Sequence, residues 1–340
     1  MSLHINENFS LKAYNSFGTD VRAAVYIYAG SMDVLKRGLQ WANDKKNNIL
    51  VLGGGSNVLF TKDINDIVVH NGLKGVEKVK EDNEFVYLKA GAGELWHRFV
   101  LHCLDCNYAG MENLALIPGY VGASPMQNIG AYGVEIKEVF HELTAIHRHT
   151  LEEVKFSKSD CEFGYRESVF KHQYKDQFVI TDVTYRLSKT PVFNIEYGAI
   201  KQELEKNNVQ QLSIRAVANA VMAIRSSKLP DPKQMGNAGS FFKNPSISKS
   251  QYLSLKEKFP DLVAYENADG TMKLAAGWLI EKCGLKGYRI GDAGVHAKQA
   301  LVLVNYGNAT GAEILNVCEL VQQTVKEKFS IELSPEVNIL

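Results

Sequence analysis

The run Asn48-Ile49-Leu50-Val51-Leu52 ends on three consecutive glycines, Gly53-Gly54-Gly55, with Ser56 and Asn57 after them. Three glycines in succession do not propagate a helix, because each gives up more backbone entropy than any other residue. The short apolar run before them reads as a buried strand feeding a glycine loop. Successive glycine N–H groups can form a concave nest for phosphate oxygens, and Ser56 and Asn57 can add side-chain donors. The spacing fits neither the dinucleotide fingerprint nor the P-loop. A tight strand-to-strand turn is therefore an equal reading of this run alone.

A second junction of the same kind follows. Phe85 to Ala90 reads as a strand and stops at Gly91-Ala92-Gly93, ahead of an amphipathic helix from Leu95 to Cys106. His141 to His149 and Phe178 to Leu187 read as further strands, the latter alternating through Val179, Thr181, Val183 and Tyr185. After about Gln210 helical stretches dominate: Leu212 to Ser226, Ser248 to Phe259, Lys273 to Cys283 and Thr310 to Lys328. In the last of these Ile314, Val317, Cys318, Val321 and Val325 share one face, and Thr310 with Glu313 makes a capping box. Ala300 to Val304 is a buried-strand candidate between the last two helices. The tail from Ile331 to Leu340 alternates apolar and polar residues, so it requires burial, and it carries Glu336. The pattern is α+β in both halves.

A chain of 340 residues with 45% hydrophobic and 22% charged residues can bury a large core, and on composition alone it divides into two domains. Lys+Arg and Asp+Glu balance at 38 each, which gives no basic excess for a nucleic-acid or membrane partner. No apolar run approaches the ~18 residues of a membrane span, and the N-terminus has no signal-peptide pattern. Five scattered cysteines, an odd count, indicate reduced thiols and a cytoplasmic protein. Cys103 and Cys106 form a C-x-x-C pair late in a helix with no second pair, so they read as structural, and no metal site is expected.

Four regions carry candidate chemistry. Leu116 to Gly133 is long, glycine-rich and nearly uncharged, which reads as ordered loop. Two backbone-rich loops in one domain suit a large ligand with a diphosphate and an apolar ring, and flavin adenine dinucleotide (FAD) is such a ligand. Gly164-Tyr165-Arg166 offers a guanidinium that can fork onto a carboxylate, or pair with Asp160, Glu162 or Glu167. Lys228 and Lys233, with Lys243, concentrate positive charge. Gly236 to Pro245 places Ser240 between Gly239 and Phe241. A hydrolase with Ser240 as nucleophile is one reading. The G-x-S-x-G elbow fails because Phe241 and Phe242 follow, and none of the nine histidines sits in a partner motif. A flavin-binding module without catalysis is another; it has no need for Ser240, Arg166 and Glu336 together.

These motifs also occur, in this order, in a known family. The sequence closely resembles the UDP-N-acetylenolpyruvoylglucosamine reductases through Asn15-Ser16-Phe17-Gly18, the Gly53 to Asn57 run, Ile117 to Asn128, Tyr165-Arg166, Gly236 to Pro245 and Ser334-Pro335-Glu336. The resemblance implies an α+β protein with a two-part FAD-binding region of the vanillyl-alcohol-oxidase/PCMH type and a C-terminal α+β substrate-binding domain. Its implied bounds are 1–70 with the tail 329–340, then 71–210, then 211–328. It implies FAD as cofactor, NADPH as hydride donor, and hydride passing through FAD to the enolpyruvyl methylene carbon of a UDP-sugar. The implied catalytic residues are Arg166, Ser240 as proton donor, and Glu336. The implied cofactor contacts are Gly53, Gly54, Gly55, Ser56 and Asn57, then Gly119, Gly122, Ala123, Ser124, Gln127, Asn128 and Gly130. The implied substrate contacts are Tyr165, Lys228, Asn244, Gln299 and Tyr197, which marks the type with a substrate-covering segment. A monomer with small-molecule partners only is expected. Glu336, as an anion, would repel the charge that develops on the substrate carboxylate. It is therefore expected to be buried and hydrogen-bonded, with a raised pKa.

Overall fold

The structure is a computed structural model and describes residues 3–340. Contacts gather the chain into two units. The first holds residues 3–9, Ala23–Gly54 and Ile64–Ser227; the second holds Ser10–Arg22, Gly55–Asp63 and Lys228–Leu340. The chain therefore changes unit inside the glycine run, between Gly54 and Gly55.

Two sheets build the first unit. One has the strand order Asn6–Ser10, Arg22–Ala29, Ile64–Asn71, Ile49–Leu52, and its last two pairings are parallel. Parallel pairing requires a crossover. The helix Met32–Asp44 supplies it, capped by Ser31, whose hydroxyl accepts from the Val34 N–H. Val34, Leu35, Leu39 and Ala42 face Ile27, Ile67 and Val69 in a common core. The other sheet is antiparallel, in the order Glu153–Ser157, Phe140–His147, Phe178–Ser188, Phe85–Gly91, Val76–Glu81. Its core centres on Trp96, Phe99 and Tyr185, beneath the helix Trp96–Asp105.

The second unit pairs Gly236–Asn237, Leu303–Asn305, Ala293–Val295 and Arg289–Ile290 in one antiparallel sheet. The helix Gly311–Phe329 packs its expected face, Ile314, Val317, Cys318, Val321 and Val325, into this unit's core. The capping box at Thr310 and Glu313 is present. The tail is packed: Asn338–Ile339 pairs in parallel with Val58–Leu59.

One expectation is refined and two change. Gly53 to Asn57 does join strand to strand, but the two strands do not pair with each other: the one before pairs with Ile64–Asn71 and the one after pairs with the tail. The stretch from Lys273 to Cys283 is a strand and a shorter helix, since Met272–Leu274 is held between Ser246–Ile247 and Ala264–Glu266 and only Ala276–Lys282 is helical. The strand expected at Ala300 to Val304 begins at Leu303, after a turn in which the Val302 N–H donates to the Gln299 carbonyl. Cys103 is buried and Cys106 exposed, both as free thiols. Among the described residues no helix is long and apolar enough to cross a membrane, and no His, Cys, Asp or Glu cluster could hold a metal ion.

Candidate active site

In the first unit, Gly53 and Gly54 lie against Tyr120, which is stacked on His70 with ring centroids 5.9 Å apart. The Lys74 ammonium sits 5.1 Å from the centre of the Tyr120 ring. Val121–Ala123 forms a short 3-10 turn anchored by the Gly122 N–H, which donates to the Ala92 carbonyl at 2.9 Å. Two residues expected to meet the cofactor have their side chains committed to protein. The Ser124 hydroxyl bonds the buried Tyr185 hydroxyl at 2.6 Å. The Asn128 amide donates to Glu135 at 3.0 Å and to the Gly164 carbonyl at 2.9 Å, while its oxygen accepts from the Lys137 N–H. Their main-chain N–H groups are committed as well, Ser124 to the Val121 carbonyl and Asn128 to the Pro125 carbonyl. Ala123 is exposed, and Gly119, Gln127 and Gly130 are partly exposed along the same loop.

Arg166 is held in the left-handed region at φ 57°, a conformation costing about 1–3 kcal/mol for a residue with a Cβ. Its Nη2 donates to the Gly130 carbonyl at 2.8 Å, and the Tyr165 ring lies 5.5 Å from the guanidinium carbon. Gly130 is required for this approach: a Cβ there would stand 2.9 Å from the Val134 carbonyl and 3.2 Å from Arg166 Nη1.

A residue that the sequence reading missed stands beside it. Arg225, on the helix Ile214–Lys228, has an Nε enclosed by protein that meets no partner among the described residues. Burial lowers its pKa; the Tyr132 phenol acts in the opposite sense, and Arg166 adds to the lowering. His97 is depressed by burial and then by Arg225. Enclosed positive charge of this kind calls for an anion. The signal was in the periodicity: Ile214, Val217, Ala218 and Val221 form a buried stripe, and Arg225 is its next member.

The segment carrying Tyr197 lies on the turn at Tyr132-Gly133. Asn194 Nδ2 donates to the Gly133 carbonyl at 3.1 Å, and the Tyr197 side chain is 55% exposed.

In the second unit, Gly55 adopts φ +61°, and any Cβ there would collide with the Tyr14 carbonyl oxygen. The Ser16 N–H donates to the Gly55 carbonyl at 2.9 Å, and the Asn338 N–H donates to the Asn57 carbonyl at 3.1 Å. A trans peptide points its N–H opposite its C=O, so the Ser56 N–H faces away from the Tyr14 to Ser16 segment. A turn with its carbonyls on protein donors and an N–H turned outward fits a phosphate group.

Ser240 is exposed and follows Gly239, whose N–H is held by Asn237 Oδ1 at 2.9 Å. Behind it Phe241 and Phe242 are buried at 0% and 1% exposure. The tail runs antiparallel to them: Glu336 N–H donates to the Phe241 carbonyl at 2.7 Å, Lys243 N–H to the Ser334 carbonyl at 2.9 Å, and Phe242 bridges Pro335. Ser240 and Glu336 are thereby brought together from distant sequence. Glu336 is half-buried rather than buried, because Leu333 and Val337 take the inward face of the tail and Glu336 falls on the other. Asn244 and Gln299 converge on one turn: Asn244 Oδ1 accepts from the Ala276 N–H at 3.0 Å, and Gln299 lies against Gly277. Lys228 is exposed at the end of its helix.

The comparisons follow this division of the chain. Residues 23–149 match the FAD binding domain, so the class is that of the FAD-dependent oxidoreductases. Residues 231–340 match the C-terminal domain of UDP-N-acetylenolpyruvoylglucosamine reductase. A protein of that name from Flavobacterium johnsoniae is 52% identical over 99% of this chain and 100% of its own length. Another from Pseudomonas syringae pv. tomato is 48% identical over the whole of both chains. The chain belongs to the UDP-N-acetylenolpyruvoylglucosamine reductase family. The solved structure of the reductase from Thermus caldophilus, 23% identical, shares the fold at a TM-score of 0.67 over 100% of this chain and 99% of that one.

Proposed function

We propose that this protein reduces the enolpyruvyl ether of UDP-N-acetylglucosamine to UDP-N-acetylmuramate, with NADPH as hydride source, in the supply of peptidoglycan precursors. The observation that supports this reading is the main-chain pairing of the segment just after Ser240 with the tail that carries Glu336, backed by the buried Phe241 and Phe242. Gly53 to Asn57, Gly119 to Ala123 and Gly130 would hold FAD, which would supply the hydride-transfer chemistry when bound.

Hydride arriving at the methylene carbon leaves negative charge on the neighbouring carbon and its carboxylate. Arg166 and Arg225 stabilise that charge more in the transition state than in the ground state, and only such a difference lowers a barrier. Ser240 gives a proton to the carbon and regains one from solvent. A hydroxyl is a weak acid at neutral pH, so its contribution is placement, secured by Gly239, Phe241 and Phe242. Glu336 acts as a hydrogen-bond donor, in its protonated form. Tyr165, Lys228, Asn244 and Gln299 bind the UDP-sugar, and Tyr197 closes over its diphosphate. The protein works as a cytoplasmic monomer of three domains, two that bind FAD and one that binds the UDP-sugar.

The test is spectroscopic. The purified protein is expected to be yellow, to bleach anaerobically with NADPH, and to recover its colour on addition of enolpyruvyl-UDP-N-acetylglucosamine. A colourless preparation that FAD does not reconstitute sinks the reading.

A further inference from the structure

Asn113 is 2% exposed and carries no charge, yet its amide joins two separate segments. Nδ2 donates to the Tyr132 carbonyl at 2.9 Å and to the Asn194 carbonyl at 2.8 Å. Asn194 returns a bond of its own to the Gly133 carbonyl. Gly133, at φ +82°, completes the junction: a Cβ there would stand 3.1 Å from the Tyr197 Cβ and 3.2 Å from the Asn194 amide. One buried amide thus ties the turn at Tyr132-Gly133 to the segment that carries Tyr197. The Tyr132 phenol is close enough to Arg225 for each to act on the other's charge, and Arg166 acts on Arg225 in the same way.

We propose that Asn113 is a positioning residue that sets the Tyr197 segment over the substrate and registers it against the Tyr132–Arg225 side of the site. This rests on the reading of Tyr197 as the residue that closes on the substrate diphosphate. The physical argument is one of cost. Both amide hydrogens of a buried Asn113 are used, so releasing the segment strands a buried donor and two carbonyls. Tyr197 itself is exposed and contributes little packing to hold the segment down. The clamp therefore pre-organises a segment that would otherwise be ordered at the expense of substrate affinity.

The experiment uses Asn113→Asp, which is isosteric but cannot donate when ionised, and Asn194→Ala as a second variant on the partly exposed side of the clamp. Hydrogen exchange in residues 193–199 of the FAD-loaded protein, without substrate, is expected to rise at least tenfold in both variants. NADPH is expected to bleach the flavin at the wild-type rate. KM for the enolpyruvyl substrate is expected to rise at least tenfold with kcat within about threefold. In a Tyr197→Ala background either variant is expected to add little further to KM, because it acts through Tyr197. Unchanged exchange in both variants overturns the clamp, whatever the substrate is. Raised exchange with unchanged KM, or full additivity with Tyr197→Ala, overturns the positioning role while leaving the reductase reading intact. A wild-type protein that never oxidises its reduced flavin with this substrate removes the reductase reading itself, and the exchange result still judges the clamp.

Discussion

The Glu336 N–H donates to the Phe241 carbonyl at 2.7 Å, so the last ten residues fix the position of the residue just before Phe241, Ser240. Carboxyl and hydroxyl are coupled through main chain, which side-chain substitutions leave in place. Ser240→Ala is therefore expected to keep the fold and the NADPH-driven bleaching. Recolouring by the enolpyruvyl substrate is expected to slow by orders of magnitude. For Glu336, the order of the variants decides the role. If it acts by donating a hydrogen bond, Glu336→Gln retains more substrate-reducing activity than Glu336→Ala, measured as single-turnover flavin reoxidation, with the alanine loss about 10²–10³-fold by analogy with removing one oxyanion donor. Equal losses in the two variants exclude donation.

Gly55 and Gly53 separate what a glycine-rich run needs from what it tolerates. A Cβ on Gly55 runs into the Tyr14 carbonyl at a positive φ, whereas one on Gly53 meets Tyr120 at an ordinary 3.9 Å. Gly55→Ala is expected to weaken FAD binding at least tenfold, read by fluorescence on reconstituting the apoprotein. Gly53→Ala is expected to stay within about threefold of wild type. Equal effects in the two variants argue that the run does not hold the cofactor through the shape of its turn at Gly55.

The same contrast shows what was legible beforehand. Strands ending in glycine runs and the capped helix at Thr310 declare themselves locally, since period and cap chemistry lie within a few residues. The glycine run did not reveal whether it was a hairpin, because that depends on Asn338–Ile339 pairing with Val58–Leu59. Lys273 and Leu274 read as helix because the strand that they end is only three residues long and runs almost directly into the helix Ala276–Lys282. The first crossover helix, Met32–Asp44, escaped although Ser31 caps it and Val34, Leu35 and Leu39 share a face. Site residues divide likewise. Ser240 and Arg166 stand out through their glycine neighbours. Asn128 has the chemistry of a ligand donor, and only the fold shows that its side chain is taken by Glu135, Gly164 and Lys137.

Arg225 links function to instability. Its guanidinium is enclosed, beside a second guanidinium, and its Nε has no protein partner among the described residues. Replacing a buried charge by an apolar side chain of similar length is often neutral, or stabilising by about 1–4 kcal/mol. Arg225→Met is accordingly expected to leave the melting temperature of the substrate-free protein unchanged or higher. Its kcat/KM for the enolpyruvyl substrate is expected to fall at least tenfold. A lower melting temperature with normal kcat/KM would make Arg225 a structural residue.

His70 ties stability to pH. Burial, and secondarily Lys74, lower its pKa to about 4 from an ordinary value of 6.5. Its Nδ1 is 2.7 Å from the Tyr26 hydroxyl, and its ring backs Tyr120. The folded state therefore holds His70 neutral where the unfolded chain takes a proton. The associated stability is fully present above the unfolded value near 6.5. It shrinks as pH falls, by at most about 1.4 kcal/mol per pH unit, and is gone near pH 4. His70→Gln, which cannot titrate, is expected to flatten the melting temperature of the apoprotein between pH 6.5 and 4.5 relative to wild type, even if its absolute value is lower. Parallel curves for the two proteins over that range would show that other groups carry the acid sensitivity, and that Tyr120 is not held by a neutral imidazole.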